Sequence, residues 1–168
     1  MSYPDPRYLG ETGEITATFR HVRQAPDVTI GQDTVMQYLA TGTSTHGQFG
    51  LCRWDSKPHT RGPNAHFHRT ISESFFILSG TLRLFDGERW LDAKPGDFLY
   101  VPEGGIHAFH NESDEPASML LLFSPGAPRE AYFEAIAEKA AGRQYSEAEW
   151  IDLCRRHDNY FLPPPGSS

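Results

Sequence analysis

Four side chains in the middle of this chain have types and spacings that suit a metal ion. His66 and His68 flank Phe67, so two imidazoles lie two residues apart, and a carboxylate follows at Glu73. A third imidazole, His107, comes much later, after a segment rich in glycine and proline. Side chains at i and i+2 of a strand share a face, so His66 and His68 can reach one ion. Three neutral imidazoles and one carboxylate suit Fe, Mn, Ni, Cu or Zn, and suit Ca poorly.

These four groups also leave room for chemistry at the ion. An octahedral ion held by four protein groups keeps two open positions, where a substrate or dioxygen could bind. Glu73 then has two roles that the sequence leaves open: a ligand that fixes the geometry, or a general base that takes a proton from a bound hydroxyl. A nearby dication lowers the pKa of a carboxyl group while burial raises it, so the sequence does not decide which effect dominates.

Apolar and aromatic residues on neighbouring predicted strands are candidates for a substrate pocket. Barrel interiors take alternate residues of each strand, and Phe75 shares the face of Glu73. The pocket candidates are Met36, Tyr38, Phe49, Leu51, Arg53, Phe75 and Phe109. An inward Arg53 would need a carboxylate partner or an anionic substrate, whereas an outward Arg53 would need neither, and both remain open. An apolar pocket that tolerates aromatic groups would suit a flat phenolic substrate.

The elements that must position these groups are short strands separated by turn signals. Asp86-Gly87 and Pro95-Gly96 predict tight turns. Short strands at this spacing favour an all-β sandwich or barrel. We expect strands at residues 34–40, 49–54, 65–70, 73–79, 81–85, 89–91, 97–101, 106–111 and 117–123, and a short one near residues 15–20.

The apolar period changes after the last predicted strand. Between residues 128 and 141, Tyr132, Phe133 and Ile136 recur at helical spacing. Ser146 and Glu149 then form a capping-box pattern before a second apolar stripe. We expect two helices that pack outside the barrel. The chain is thereby divided into an N-terminal arm (1–33), a barrel (34–125) and a helical extension with a tail (126–168), which together make one domain.

The residues around the candidate ligands resemble the two signature motifs of the cupin superfamily. The first motif lacks its leading glycine, because Thr60 stands there and the nearest glycine is Gly62. That glycine shapes a turn and does not bind metal. The residues that match the first motif are His66, His68, Glu73 and Gly80. Those that match the second motif are Gly96, Pro102, Gly104, His107 and Asn111.

The resemblance implies an all-β fold with a helical tail: a cupin-type double-stranded β-helix, or jelly-roll barrel, followed by C-terminal α-helices. It implies one divalent transition metal ion, which could be Fe, Mn, Ni, Cu or Zn. The site looks like that of quercetinase-type single-domain cupins, which are flavonol dioxygenases. By this resemblance the chain is an oxidoreductase that opens an aromatic or enolic small molecule with O2, and Glu73 takes the substrate's proton. It also implies a homodimer in which residues 1–33 are exchanged.

Two alternatives use the same four groups without oxygen. The first is a non-redox cyclase, isomerase or lyase acting on a polyketide-like or keto-acid substrate, where the ion holds an enolate as a Lewis acid. The second is a cupin that binds a small molecule and catalyses nothing. The fold does not choose among these functions, because cupin barrels host many chemistries.

The charge balance of the chain argues against two classes of partner. The chain has 15 Lys+Arg against 22 Asp+Glu, a net charge of −7 and no basic run, so we expect neither nucleic acid nor an anionic membrane as partner. The sequence has no apolar run long enough for a transmembrane helix and no visible signal peptide. Cys52 and Cys154 are predicted to be free thiols of a cytoplasmic protein.

Overall fold

The computed structural model describes residues 2–163, and within them eleven strands and two helices follow an extended N-terminal arm. The helices are α1 (Glu130–Ala140) and α2 (Glu147–Arg156). The strands, in chain order, are β1 (Val28–Ile30), β2 (Thr34–Ala40), β3 (Gly50–Ser56), β4 (His66–Phe67), β5 (Ser72–Ser79), β6 (Leu82–Phe85), β7 (Trp90–Ala93), β8 (Phe98–Val101), β9 (Ala108–His110), β10 (Ala117–Ser124) and β11 (Tyr160–Phe161).

The strands form two layers that face each other across the core. One layer is a six-stranded antiparallel sheet in the order β1-β2-β3-β10-β5-β8. The other contains the three-stranded sheet β7-β6-β9 and the pair β11-β4. His66 and His107 join these two pieces, because their backbones exchange N–H···O bonds of 3.0 and 2.9 Å. This is the jelly-roll architecture expected from the sequence, with the helices at its C-terminal end.

Aromatic side chains connect the two layers through the core. Trp54 of β3 and Phe75 of β5 both contact Phe109 of β9, with ring centroids 5.3 and 5.7 Å apart. On β10, Met119, Leu121 and Phe123 point into the same space and are 0 to 1% exposed. Alternate residues of these strands therefore face the core, as the two-residue period of a strand requires.

The face of β3 that carries the pocket candidates Leu51 and Arg53 is the outer one. Trp54 is buried, whereas Leu51 and Arg53 are half-exposed on the outer face, where the Arg53 guanidinium pairs with Asp55 at 2.8 Å. Phe49 lies before the strand and is 37% exposed. The prediction of Phe49, Leu51 and Arg53 as pocket residues is therefore wrong. Both faces of this strand carry large side chains, so the sequence pattern did not distinguish inside from outside.

Two glycines, the motif residue Gly80 and the nearby loop residue Gly62, lie where the backbone has no room for a side chain. Gly80 has φ +71°, and a Cβ there would lie 2.3 Å from the carbonyl oxygen of Pro116. At Gly62 a Cβ would lie 1.9 Å from the carbonyl oxygen of Phe109. Glycine is required at both positions because only its missing Cβ permits this approach. The close contact at Gly62 holds the loop before β4 against β9.

The C-terminal segment is built into the barrel wall. The capping box at Ser146 and Glu149 begins α2, as predicted. However, α1 buries Tyr132 and Phe133 in the hydrophobic core. The short strand β11, which no sequence signal indicated, pairs with β4. The expectation that both helices pack outside the barrel is therefore wrong for α1, because its apolar face helps to close the core.

The N-terminal arm remains extended. Residues 15–20 form no strand, and Ile15, Phe19 and Val22 are 80, 85 and 72% exposed. The strand β1 lies inside the predicted arm and pairs with β2, so the arm ends sooner than expected. Cys52 and Cys154 are buried and form no disulfide. Within residues 2–163, neither helix has the length and apolar character needed to cross a bilayer.

Candidate metal centre

The four candidate ligands meet between the two layers. His66 begins β4, His68 follows it, and His107 immediately precedes β9, while Glu73 extends from β5 of the opposite layer. All four side chains are buried, at 0 to 5% exposure, and their ligand atoms lie within 4.8 Å of one another. Together they form a candidate metal site.

Backbone carbonyls orient all three imidazoles in the same way. Each ring uses its Nδ1 atom to contact a carbonyl oxygen. The pairs are His66 with Asn64 at 2.9 Å, His68 with Asp158 at 2.6 Å, and His107 with Gly105 at 3.0 Å. A carbonyl oxygen only accepts hydrogen bonds, so each Nδ1 must carry the hydrogen and donate it. In a neutral ring this leaves the Nε2 lone pair directed at the site, as a metal ligand requires.

The Glu73 carboxylate faces these lone pairs. Its Oε2 lies 3.0 Å from Nε2 of His68 and 2.9 Å from Nε2 of His107. Neutral rings that donate through Nδ1 present acceptors to another acceptor, so a proton or a cation must lie between them. Adjacent ligands about 2.1 Å from an octahedral ion are about 3.0 Å apart. The spacing and the nitrogen and oxygen donors both fit a divalent transition metal ion.

The electrostatics keep two ligands in the required forms. Burial raises the pKa of Glu73, but its close contacts with the rings of His107 and His68 outweigh burial and hold that pKa well below its usual range. Burial and the charge of His107 lower the pKa of His66 to about 3. Burial also lowers the pKa of His107, but its contact with Glu73 has the larger combined effect and raises it. Glu73 is thus ionised and His66 neutral, while a proton on His107 competes with a cation.

A loop of the C-terminal segment, at Asp158, holds two parts of the candidate site in place. Asp158 has φ +59°, and its backbone oxygen accepts the bond from His68. Its carboxylate accepts hydrogen bonds from the backbone N–H of Thr70 at 2.8 Å and from the Thr70 hydroxyl at 2.7 Å, and another from the Arg69 N–H. One residue therefore fixes both the ring of His68 and the turn that leads to Glu73. Sequence reasoning missed Asp158, because nothing in its local pattern connects it to residues 68–70.

The site opens into a cavity of about 490 Å³. His66 and Glu73 lie in its wall, so the candidate metal centre is reachable from this space. Most of the remaining wall is apolar and comes from both the barrel and the C-terminal segment. Its large side chains include Trp54, Phe109, Leu121, Tyr132, Phe133 and Phe161.

The other predicted pocket residues have different positions. Phe109 lines the cavity, and Phe75 is buried beside His107, with ring centroids 5.8 Å apart. Met36 is a core residue, and the Tyr38 hydroxyl donates to the Glu130 carbonyl at 3.3 Å. Neither contributes to the cavity wall. The sequence did not indicate Trp54 as a wall residue, because the pocket candidates on β3 lie on its other face. It did not indicate the wall residues of α1, because the apolar spacing of a helix does not show which surface the helix packs against.

Metal affinity should depend on pH through one proton. The pKa of His107 is raised above its ordinary value, so an incoming ion must displace a proton there, whereas Glu73 and His66 already have ligand forms. Below the raised pKa, the apparent dissociation constant of Zn²⁺ should rise about tenfold per pH unit as pH falls. Competition with a chromophoric chelator at pH 6, 7 and 8 measures this.

An exposed histidine provides the control for that titration. His59 pairs with Asp114 far from the ligands and is 65% exposed in its side chain. His59→Gln should show the same pH dependence as the original protein. An affinity that is constant between pH 6 and 8 would contradict this assignment of the proton.

Comparisons with known proteins agree with this fold. A model of the cupin domain family matches residues 52–123. The chain is 26% identical over 110 residues to quercetin 2,3-dioxygenase of Bacillus subtilis, a match that covers 66% of this chain and 32% of that protein. It is 34% identical over 61 residues to an uncharacterised protein of Aquifex aeolicus, covering 36% of this chain and 49% of that protein. The chain thus spans half or less of these two relatives.

Solved structures show the same architecture. A predicted oxalate decarboxylase of Thermotoga maritima superimposes with a TM-score of 0.58 at 19% identity, covering 65% of this chain and 99% of that one. The polyketide cyclase RemF of Streptomyces resistomycificus superimposes with a TM-score of 0.54 at 16% identity, covering 66% and 80%. At these identities the likeness concerns the fold alone. Residues 52–123 thus match the cupin domain family, and the chain has the cupin fold.

Proposed function

We propose that this protein is a metal-dependent dioxygenase of the quercetinase-like type, which opens an aromatic or enolic substrate such as a flavonol with O2. The observation that carries the proposal is the convergence of three Nε2 lone pairs and the Glu73 carboxylate beside an apolar, aromatic cavity. The similarity to quercetin 2,3-dioxygenase supports the choice of substrate class. In this proposal His66, His68, Glu73 and His107 hold one ion of Fe, Mn, Ni, Cu or Zn.

Glu73 is placed to handle the substrate's proton. A divalent ion at this site would supply a positive centre that stabilises an enolate or phenolate oxygen and lowers its pKa. The hydrogen bonds that Glu73 makes within residues 2–163 use Oε2, so Oε1 remains able to accept the proton of a substrate hydroxyl. The low pKa of Glu73 makes it a weak base, so the transfer depends on a substrate hydroxyl that has itself become acidic.

The cavity wall gives the substrate its orientation. Trp54 and Phe109 from the barrel meet Tyr132 and Phe133 from α1, so a flat ring between them contacts aromatic surface and excludes water. Exclusion of water strengthens every electrostatic contact at the ligands. Because α1 contributes residues to this wall, the C-terminal segment would be part of the substrate site.

A non-redox enzyme is the second candidate. A cyclase, isomerase or lyase acting on a polyketide-like or keto-acid substrate would use the same four groups to hold an enolate. The observation in its favour is Arg129, a buried cation in the cavity wall, because a keto acid would bring a carboxylate to it. Turnover without oxygen in the zinc-loaded protein would identify this reaction class.

The test of the dioxygenase is coupled consumption of O2 and flavonol. Protein loaded separately with each of the five ions is mixed with quercetin, and its absorbance and dissolved oxygen are followed together. We expect equal losses of both with at least one ion, and Glu73→Gln should lower kcat by about 100-fold or more while retaining part of the ion. The exposed Glu103→Gln is the matched control and should leave kcat unchanged.

Three outcomes separate the hypotheses. Undiminished turnover in Glu73→Gln would refute the role of Glu73 as base. Conversion of an enolic substrate without O2 would replace the dioxygenase by the Lewis-acid enzyme. Tight binding of phenolic compounds without any turnover would leave a non-catalytic small-molecule-binding cupin.

We also propose that two copies of the chain form a homodimer. Phe76, Phe98 and Tyr100 are 40, 62 and 55% exposed on the outer face of β5 and β8, and β8 is an open sheet edge within the described chain. The arm also exposes apolar side chains, Ile15, Phe19 and Val22, which a second apolar surface would cover. Adjacent apolar patches of this kind mark interaction sites, and an open edge can pair with an added strand. The arm of one copy would cover the sheet of the other.

Light scattering after size-exclusion chromatography tests the dimer. The original protein should have twice the chain mass of 18.9 kDa at micromolar concentration. Phe98→Glu should shift it to the monomer because it places a charge in the apolar interface, whereas Glu88→Lys in an exposed turn should not. A monomeric original protein would refute the proposal.

A further inference from the structure

Arg129 is a buried cation without an acidic partner. The residue is 6% exposed. Within residues 2–163, no carboxylate oxygen lies within 4.0 Å of its guanidinium nitrogens. Its Nη1 donates to the carbonyl oxygen of His157 at 2.7 Å, and its Nη2 donates to Oδ1 of Asn159 at 3.3 Å. Its Nε is buried and has no hydrogen-bond partner in the described chain. No carboxylate of the described chain therefore forms an ion pair with this guanidinium.

Aromatic rings hold this guanidinium in a fixed position. Its central carbon lies 4.8 Å from the ring centroid of Phe123, 4.9 Å from that of Tyr132 and 5.5 Å from that of Phe133. Ring faces attract a cation but do not cancel its charge. The fixed guanidinium is thus already oriented for a ligand, and binding an anion would cost little further ordering.

The same residue lines the cavity beside the candidate metal centre. Arg129 belongs to the wall that also contains His66 and Glu73. A bound dication together with Arg129 outweighs the single negative charge of Glu73. Arg61 and Glu147, at the exposed rim, carry opposite charges and change this balance little. In an otherwise apolar cavity, uncompensated positive charge favours an anionic ligand.

We propose that Arg129 binds an ionised carboxylate of the ligand, and that the cavity takes organic acids with a flat apolar body. This rests on the proposed function only in taking the cavity as the substrate site. The planar guanidinium suits a carboxylate, and Nη1 and Nη2, which each make one hydrogen bond within the described chain, each keep a second N–H for a carboxylate oxygen. The aromatic wall formed by Trp54, Phe109 and Tyr132 would contact the body of the acid. Arg129 is thereby a specificity-determining residue for the charge of the ligand.

A pair of probes that differ only in charge tests this. Isothermal calorimetry with zinc-loaded protein compares trans-cinnamate with trans-cinnamamide, two flat molecules of nearly equal shape. The titration is done without oxygen, and recovery of unchanged probe afterwards shows that the heat comes from binding. We expect cinnamate to bind about tenfold more tightly or better, which is the strength of one hydrogen bond to a charged group.

Variants then assign that preference to Arg129. Arg129→Met should weaken cinnamate binding about tenfold or more and change cinnamamide binding about twofold or less. Arg129→Lys should retain part of the preference, and Arg155→Met, which removes an exposed charge from α2, should retain all of it. The zinc content of each variant is measured beside its affinity, so loss of the ion is distinguished from loss of the anion contact.

Two results would overturn the inference. The first is equal affinity of the original protein for cinnamate and cinnamamide, which needs no variant and so holds even if Arg129→Met fails to fold. The second is a preference for cinnamate that survives in folded, zinc-loaded Arg129→Met, because the carboxylate would then be bound by the ion. Neither result depends on whether the protein turns over a flavonol, so these experiments test the role of Arg129 separately from the proposed function.

Discussion

The orientation of three imidazole rings by backbone carbonyls is the constraint on which the site depends. The backbone carbonyls of Asn64, Gly105 and Asp158 each accept a hydrogen bond from Nδ1 of one ring. These bonds direct the three Nε2 lone pairs towards one point. The Glu73 carboxylate reaches that point from the opposite sheet. A group of acceptors packed this closely in a buried position is stable only around a proton or a cation, and the donor types favour a transition metal.

The C-terminal segment completes the barrel in three ways. Strand β11 adds to the strand that carries His66, Asp158 supports both His68 and the loop before Glu73, and α1 supplies part of the aromatic wall. Arg129, the residue before α1, adds the only wall charge that the described chain leaves both buried and without an acidic partner. The candidate metal ligands thus come from the barrel, while much of the cavity wall comes from the segment that follows it.

The sequence predicted what depends on short, strongly constrained motifs. The clustering of the four candidate ligands, most strands and the capped start of α2 follow from residue types at fixed spacing, such as Ser146 with Glu149. It could not predict the parity of β3, because Leu51 outside and Trp54 inside are both large and apolar. The two-residue strand β11 is too short to leave a periodic signal. The sequence left open whether Arg53 faces inward; Arg53 is half-exposed beside Asp55, and the buried arginine is Arg129.

Elemental analysis of two histidine variants tests whether the four clustered side chains hold a metal ion. His107 faces Glu73 inside the barrel, whereas His110, on the same strand segment, pairs with Glu112 on the outside at 2.8 Å. We expect close to one transition metal ion per chain in the original protein and in His110→Ala, and loss of most of it in His107→Ala. Stoichiometric metal retained in folded His107→Ala would contradict the metal centre on which the proposed chemistry rests.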